Sequence, residues 1–221
     1  MKYDAKLGKE VQDHLVELGV ETPMNGGYEH NVEYVGNKFR DIMEKIGCDM
    51  DDDSMRDSPN RVASMFFDEL FSGMDYNKFP RCTTFENKMA FDSMVVQKNI
   101  IVKSVCEHHF QTIYGKCHVS YIPAANGFVI GLSKLNRVVN FFARRPQVQE
   151  RLTEQVFRAL QLILGTDNVA VYMECDHFCV KARGVEDVNS SMVTSRLGGA
   201  FFDDEKTRSE FMQIVWGMNR C

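Results

Sequence analysis

The chain has 221 residues, of which 44% are hydrophobic and 26% charged, and it carries a formal net charge of −5 at pH 7. These proportions are those of a globular protein with a packed core, and they exclude the fibrous and disordered classes. The negative charge argues against a general nucleic-acid-binding surface, so any anionic ligand needs a local basic pocket.

The sequence offers no membrane segment. The amino-terminal residues lack the apolar stretch of a secretory signal, and no apolar run approaches the roughly 20 residues that cross a bilayer. We therefore expect a cytoplasmic protein with no membrane partner and no nucleic-acid partner.

Three amphipathic patterns predict helices in the first 80 residues. Apolar residues recur at helical spacing over residues 7–18 and again over residues 35–46. A third helix is predicted from the segment "DSPNR", with Ser58 as its N-cap, to Gly73. We expect residues 1–80 to form a helical amino-terminal extension.

From about residue 81 the pattern changes to β-branched segments that alternate with helical ones. We predict two strands, two helices, a third strand and a closing helix, over residues 94–106, 116–123, 133–145, 147–164, 168–184 and 203–216. Pro146 separates the two middle helices. The prediction is an α+β fold in which residues 81–221 form the main domain.

A group of cysteine and histidine residues has the spacing of metal ligands. The seven cysteines are scattered, which favours free thiols or ligands over a disulfide framework. Cys106 and His109 form a C-x-x-H pair, and on an extended strand Cys175, His177 and Cys179 would share one face. Two cysteines and one histidine leave the fourth zinc position open to water, as in catalytic sites. Buried thiols and bonded histidines are also common in cores, so residue chemistry alone leaves this open.

Two further histidines suggest acid/base chemistry. His108 is adjacent to a candidate ligand, and His177 lies two residues from another. Histidine titrates near neutral pH, which suits a proton shuttle.

A basic segment follows the candidate metal loop. Residues 133–151 contain five basic residues and one acidic residue, Glu150. Lys134 and Arg137 are three residues apart and share a helix face, and Ser133 is predicted as the N-cap, an arrangement that suits phosphate. A carboxylate such as Glu150 can accept two hydrogen bonds from a guanine-like edge. The alternative is a solvated helix face.

The segments "CEHHF", "IGLSKLNRVVNFFARRPQVQERLT", "HFCVKARG" and "TSRLGGAF" resemble the signature segments of GTP cyclohydrolase I, and the bacterial branch most. Members of this family convert GTP to 7,8-dihydroneopterin triphosphate and formate. The resemblance implies the tunnelling fold, an antiparallel sheet with helices packed on one side, whose subunits join into a barrel. It also implies a homo-oligomer, a toroidal decamer with active sites between subunits.

The resemblance assigns roles to individual residues. It implies Zn²⁺ ligands at Cys106, His109 and Cys179, and catalytic groups at His108, His177 and Ser133. It implies contacts to GTP at Arg61, Lys134, Arg137, Gln149, Glu150 and Arg183. In this scheme Glu150 reads the guanine edge, the cations hold the triphosphate, and the purine opens at C8 with loss of formate before the ribose rearranges.

Two positions depart from the family pattern. Asn60 stands where the family usually has histidine, beside the proposed phosphate ligand Arg61. Cys175 adds a thiol where bacterial relatives usually carry a small apolar residue, and we expect it to be an inert packed thiol.

Two other functions are compatible with the fold. A nitrile reductase of 7-deazaguanine metabolism uses a nucleophilic cysteine without catalytic zinc, and the intact C-x-x-H and H-x-C motifs argue against it. A non-catalytic zinc-binding homologue would be expected to lack His108, His177 or Glu150, and all three are present.

Overall fold

The computed structural model describes residues 2–24, 28–125 and 127–217. Its first part is helical, with α1 at Ala5–Glu17, α2 at Val32–Lys45 and α3 at Ser58–Ser64. The first two helices lie where the apolar stripes predict them. The Asp4 side chain caps α1 by accepting a hydrogen bond from the Leu7 amide at 3.1 Å.

The third helix is shorter than predicted. Instead of continuing to Gly73, α3 gives way to a π-helical segment, Met65–Leu70, in which the Phe71 amide donates to the Phe66 carbonyl at 2.8 Å. The wider turn brings the rings of Phe66 and Phe71 against Phe110, with centroid distances of 6.0 and 5.7 Å. Tertiary packing of these rings therefore accompanies the break in the regular helix.

Within the described residues, seven strands form two sheets. They are β1 at Thr84–Glu86, β2 at Val95–Cys106, β3 at Thr112–Tyr121, β4 at Phe128–Ile130, β5 at Pro146–Gln147, β6 at Val169–His177 and β7 at Met192–Leu197. The main sheet has the order β5-β2-β3-β6-β7, and β1 pairs with β4 separately. Every pair is antiparallel except β2 with β5. The predicted α+β fold is confirmed.

In the part of the chain that the structure describes, the strands are accompanied by α4 at Leu132–Ala143, α5 at Gln149–Leu164, α6 at Phe178–Lys181, α7 at Ala200–Asp203 and α8 at Glu205–Trp216. Successive residues of β6 point to opposite faces of the sheet. Val169 and Val171 belong to the buried cluster that includes α1, α4 and α5. Ala170 and Tyr172 pack instead with α7 and α8. The helices thus cover one face as predicted, and the last two also cover part of the other.

Two predicted N-caps lie elsewhere. Asp57, not Ser58, precedes α3, and Gly131, not Ser133, precedes α4. Gly131 has extended backbone angles and accepts the Lys134 amide at 2.8 Å, which closes the first turn. Ser133 is therefore the second residue of the helix, and its hydroxyl is exposed at the helix start.

One buried core contains residues from both sides of the boundary predicted near residue 80. Leu15 and Phe79 lie in the same buried cluster as Phe142 and Leu152. The division into residues 1–80 and 81–221 stays a prediction. Over the described residues, no helix combines the length and the apolar character needed to cross a bilayer.

The strand predicted over residues 168–184 ends early. β6 stops at His177, and Cys179 lies in the short helix α6. The idea that Cys175, His177 and Cys179 share a strand face is therefore wrong for Cys179. Because His177 pairs with Ile113 near the start of β3, the end of β6 lies beside the loop that joins β2 to β3.

Candidate metal centre and active site

Three side chains converge where β2 and β6 end. One ligand atom from each of Cys106, His109 and Cys179 lies within 4.8 Å of the other two. Sulfur ligands of a tetrahedral zinc ion stand about 3.8 Å apart, given Zn–S bonds of about 2.3 Å. Cys106 ends β2, His109 lies in the following loop, and Cys179 lies in α6. The spacing fits one ion held by three protein ligands.

The loop that carries His109 is tightly closed. The Cys106 amide donates to the Gln111 carbonyl at 2.8 Å, and the Phe110 amide donates to the Cys106 carbonyl at 2.9 Å. Phe110 has a φ of +51°, a left-handed conformation that is unfavourable for an aromatic residue. Its ring contacts with Phe66 and Phe71 help to hold it there.

The thiols of Cys106 and Cys179 lie close to each other. Burial raises the pKa of the Cys179 thiol, and the neighbouring Cys106 raises it further. A divalent cation between the sulfurs would reverse this effect, because it stabilises both thiolates. Two thiolates and an imidazole are a donor set that suits zinc. The residues present therefore fit a zinc ion.

An ion pair holds the loop between β2 and β3, which we call the metal loop, against α5. Arg151 donates to both carboxylate oxygens of Glu107, at 2.6 and 3.2 Å. These hydrogen bonds hold the pKa of Glu107 below its usual value. The Glu107 amide also donates to the Gln147 carbonyl at 3.0 Å. Sequence reasoning missed this pair, because Arg151 looked like one more cation of the basic segment.

The two candidate acid/base histidines have different surroundings. His108 is largely exposed, with Nδ1 3.8 Å from the sulfur of Cys106. His177 is half-buried, and its Nε2 lies 2.8 Å from Oε1 of Gln149. Burial lowers the pKa of His177, while the charges of Glu150 and Asp176 act in the opposite direction. In the sequence, His108 is adjacent to the candidate ligand His109, and His177 lies two residues before the candidate ligand Cys179.

Gln149, Glu150 and Arg183 lie at the same end of the sheet. Gln149 opens α5 but is fully buried behind His177, and its amide contacts protein groups. Glu150 is exposed, and its charge acts on His177. Arg183 is exposed, and its charge acts on Cys179. One chain therefore gathers these residues near the candidate metal centre.

The remaining α4 candidates are Ser133, Lys134 and Arg137, and they lie away from this centre. Just before α4, the Ile130 amide donates to the hydroxyl of Tyr121, whose strand position pairs with the first residue of β2. The other end of α4 leads into β5, which pairs with Cys106 at the last residue of β2. About 15 Å of helix separates residues 133 and 143. A single chain does not bring the start of α4 to its own metal centre.

Arg61 is exposed in α3, with Nη2 3.9 Å from Asp57. Its neighbour Asn60 lies against α2, since a Cβ built on Gly36 would be 2.6 Å from Asn60 Oδ1. The departure at position 60 is thus accommodated by a contact between helices.

Three cations of the basic segment contact protein groups. Arg144 donates to the Glu69 carbonyl at 2.8 Å, and Arg151 binds Glu107. Arg145 is 1% exposed and donates to Glu21 at 3.1 Å. The cluster of charge seen in the sequence is therefore only partly available to a ligand.

The chain is similar to known proteins over nearly its whole length. The family model described as GTP cyclohydrolase I matches residues 35–216. GTP cyclohydrolase 1 of Mannheimia succiniciproducens is 50% identical over 210 residues, which cover 94% of this chain and 95% of the relative. The Haemophilus influenzae protein of the same name is 51% identical over 208 residues, covering 93% and 94%. The Pasteurella multocida protein is 49% identical over 210 residues, covering 94% and 95%.

Proposed function

This chain belongs to the GTP cyclohydrolase I family, and from that membership we propose how its residues carry out the reaction. It is a hydrolase that acts on GTP, built on the α+β tunnelling fold of the family. The observation that supports the detailed proposal best is the convergence of Cys106, His109 and Cys179 beside His177. The proposed products are formate and 7,8-dihydroneopterin triphosphate.

We assign the metal site to zinc, held by Cys106, His109 and Cys179. When bound, zinc lowers the pKa of a water molecule to about 7 and so supplies hydroxide near neutral pH. The three protein ligands leave room for a fourth, as in catalytic rather than structural zinc sites. Keeping the two thiols reduced requires a reducing compartment, and we therefore propose a cytoplasmic location.

The other residues bind GTP and move protons. Glu150 accepts hydrogen bonds from the guanine edge, since its carboxylate is exposed at the start of α5. His177 and His108 exchange protons with the purine as its C8 side opens. Ser133 assists opening of the ribose. The triphosphate is held by cations, which we assign as Arg61, Lys134, Arg137 and Arg183.

We propose that each active site is shared between subunits of a homo-oligomer, a decamer by family resemblance. The support is the position of α4, whose first turn lies at the opposite end of β2 from Cys106. Ser133 and Lys134 can serve a metal centre only if that centre belongs to a neighbouring subunit. Catalysis then depends on assembly, and the partners we propose are GTP and further copies of this chain.

Purified protein of known zinc content should release formate from GTP and form a fluorescent pterin. His177→Ala should abolish most of this turnover and retain zinc, whereas Cys179→Ser should lose zinc and turnover together. Zinc-loaded protein that releases no formate would contradict the cyclohydrolase assignment. Full zinc occupancy in Cys179→Ser would contradict the ligand assignment.

A further inference from the structure

The side-chain amide of Gln149 links β7 to the imidazole of His177. Gln149 is fully buried at the start of α5. Its Oε1 lies 2.8 Å from His177 Nε2. Its Nε2 lies 3.0 Å from the Met192 carbonyl, 3.0 Å from Thr194 Oγ1 and 3.4 Å from the Met173 carbonyl. Each polar atom of the amide therefore has a partner.

The orientation of this amide is determined by its partners. The carbonyl oxygens of Met192 and Met173 can only accept hydrogen bonds, so the amide atom that faces them must be the nitrogen. The reversed orientation would set the Gln149 oxygen against two carbonyl oxygens in a buried site, with no proton between them. The atom facing His177 is therefore the oxygen.

Two threonines support the same orientation. The Thr153 hydroxyl donates to the Gln149 backbone carbonyl at 2.9 Å, so its proton is already used. Thr194 Oγ1 lies 2.7 Å from Thr153 Oγ1 and must donate to it. With its proton directed there, Thr194 accepts a hydrogen bond from Gln149 Nε2. The donor and the acceptor are then assigned in each hydrogen bond between Gln149, Thr153 and Thr194.

An amide oxygen only accepts, so the ring nitrogen facing it must carry the proton. We propose that Gln149 is a positioning residue that holds neutral His177 as the Nε2-protonated tautomer, so that Nδ1 is the ring atom that exchanges a proton with the substrate. This inference rests on the proposed function, which gives His177 its acid/base role. It replaces the direct substrate contact expected for Gln149 from the family resemblance, because a fully buried amide with four protein partners does not face a ligand.

Steady-state kinetics separate the two roles. Gln149→Leu removes the acceptor while approximately keeping the volume, and it should lower kcat for formate release about 10- to 100-fold with little change in the KM for GTP. A raised KM with unchanged kcat would support a direct contact and overturn the proposal. Gln149→Leu also removes a donor from the Met173 and Met192 carbonyls, so Thr194→Val serves as a milder second variant, with a smaller loss of kcat in the same direction.

A double-mutant cycle tests whether Gln149 acts through His177. If it does, adding Gln149→Leu to His177→Ala should cause no further loss of residual single-turnover formate release. The matched control is Gln155→Leu, a second fully buried glutamine of α5 whose Nε2 donates to the Val20 carbonyl at 2.9 Å. Its effect should add to that of His177→Ala. Additive effects for Gln149→Leu would overturn the proposal.

Nuclear magnetic resonance reads the tautomer without any turnover. In zinc-loaded protein with ¹⁵N-labelled histidine, the His177 signals are those absent from His177→Ala, and they should show the proton on Nε2. Gln149→Leu should give a mixture of tautomers. A wild-type proton on Nδ1 would refute the inference even if GTP is turned over. Conversely, the Nε2 tautomer in a protein that releases no formate would uphold the positioning and refute the proposed function.

Discussion

The guanidinium of Arg151 holds both carboxylate oxygens of Glu107, and this one contact fastens the metal loop to the first turn of α5. Glu107 lies between the proposed metal ligand Cys106 and the candidate proton shuttle His108. The arginine side chain is 16% exposed and the glutamate side chain 25%, so solvent screens the pair less than a surface ion pair. Its geometry is the two-pronged arrangement that fixes orientation as well as distance.

Arg151→Ala should therefore loosen zinc binding. We expect zinc to pass to a coloured chelator about 10-fold faster than from the wild type, since residues that orient metal ligands typically contribute 10- to 100-fold in affinity. Arg151→Lys, which keeps the charge but loses the two-pronged contact, should be intermediate.

Arg158→Ala is the matched control for this experiment. Arg158 lies on the same helix and contacts Glu154 at 2.7 Å. Its removal should leave the rate of zinc transfer unchanged. Equal transfer rates for the wild type and Arg151→Ala would show that the ion pair does not position the loop.

A second arginine, Arg145, is buried against other protein groups. Arg145 is 1% exposed, and its Nη1 donates to Glu21 at 3.1 Å and to the Tyr76 hydroxyl at 3.2 Å. Removing one member of a buried ion pair leaves the other charge without a partner, which costs about 3–5 kcal/mol. Arg145→Ala should lower the free energy of unfolding by about that amount in urea titrations. Tyr76→Phe should cost less, about 1.5–3 kcal/mol, because it removes a hydroxyl that donates to Glu21 and accepts from Arg145 but leaves both charges in place. Equal losses for the two variants would contradict this ranking.

The extra thiol at Cys175 predicts a dependence of stability on alkaline pH. Burial raises the pKa of Cys175 from 9.0 to about 12. Between these values the unfolded chain releases the proton and the folded chain keeps it, so stability falls as pH rises. The contribution is complete below about pH 9 and is lost toward pH 12.

Urea unfolding of the wild type between pH 8 and about 10.5 should show this loss, and Cys175→Ala should show a shallower slope. Cys117, whose pKa burial also raises, should account for part of the remainder. Native Cys175 should also resist alkylation at pH 8, because the thiolate is the reactive form. Rapid labelling of Cys175 in folded protein would show that the thiol is accessible and would contradict the inert role.

The sequence predicted the long elements because each repeats a simple pattern. β2 and β3 are rich in β-branched residues, and α4 and α5 keep an apolar period over three or more turns. The four residues of α6 span barely one helical turn, too few to show a period, so the sequence pattern predicts a strand that continues through Cys179. The π-helical segment Met65–Leu70 was missed because it depends on ring contacts with a residue far along the chain.

Side chains of the same type proved to have different environments, which composition does not reveal. Lys134 and Arg145 belong to one basic segment. Lys134 is only partly buried, whereas Arg145 is buried and forms an ion pair with Glu21. The cysteine and histidine residues of the candidate metal centre were predicted from their spacing and from the family resemblance, and they do converge. What brings Cys106 close to Cys179 is the register between β3 and its two neighbours, a long-range property with no local signal. The hydrogen bond between Gln149 and His177 joins residues 28 positions apart, and the sequence does not reveal it for the same reason.

The placement of α4 predicts that two inactive variants restore each other. One variant chain carries Lys134→Ala and Arg137→Ala together, which impairs the α4 part of a site. The other carries Cys179→Ser, which impairs the metal-binding part. If each site joins the metal half of one subunit to α4 of its neighbour, oligomers assembled from equal amounts of both chains contain some sites with two intact halves. Random assembly gives about one quarter of the wild-type rate of formate release, because each half is intact in half of the subunits.

The control is an oligomer in which every subunit carries the Lys134→Ala and Arg137→Ala changes. It should stay inactive after the same mixing procedure. Failure to recover activity in verified mixed oligomers, or full wild-type activity in a 25.4 kDa monomer, would place the whole site within one chain.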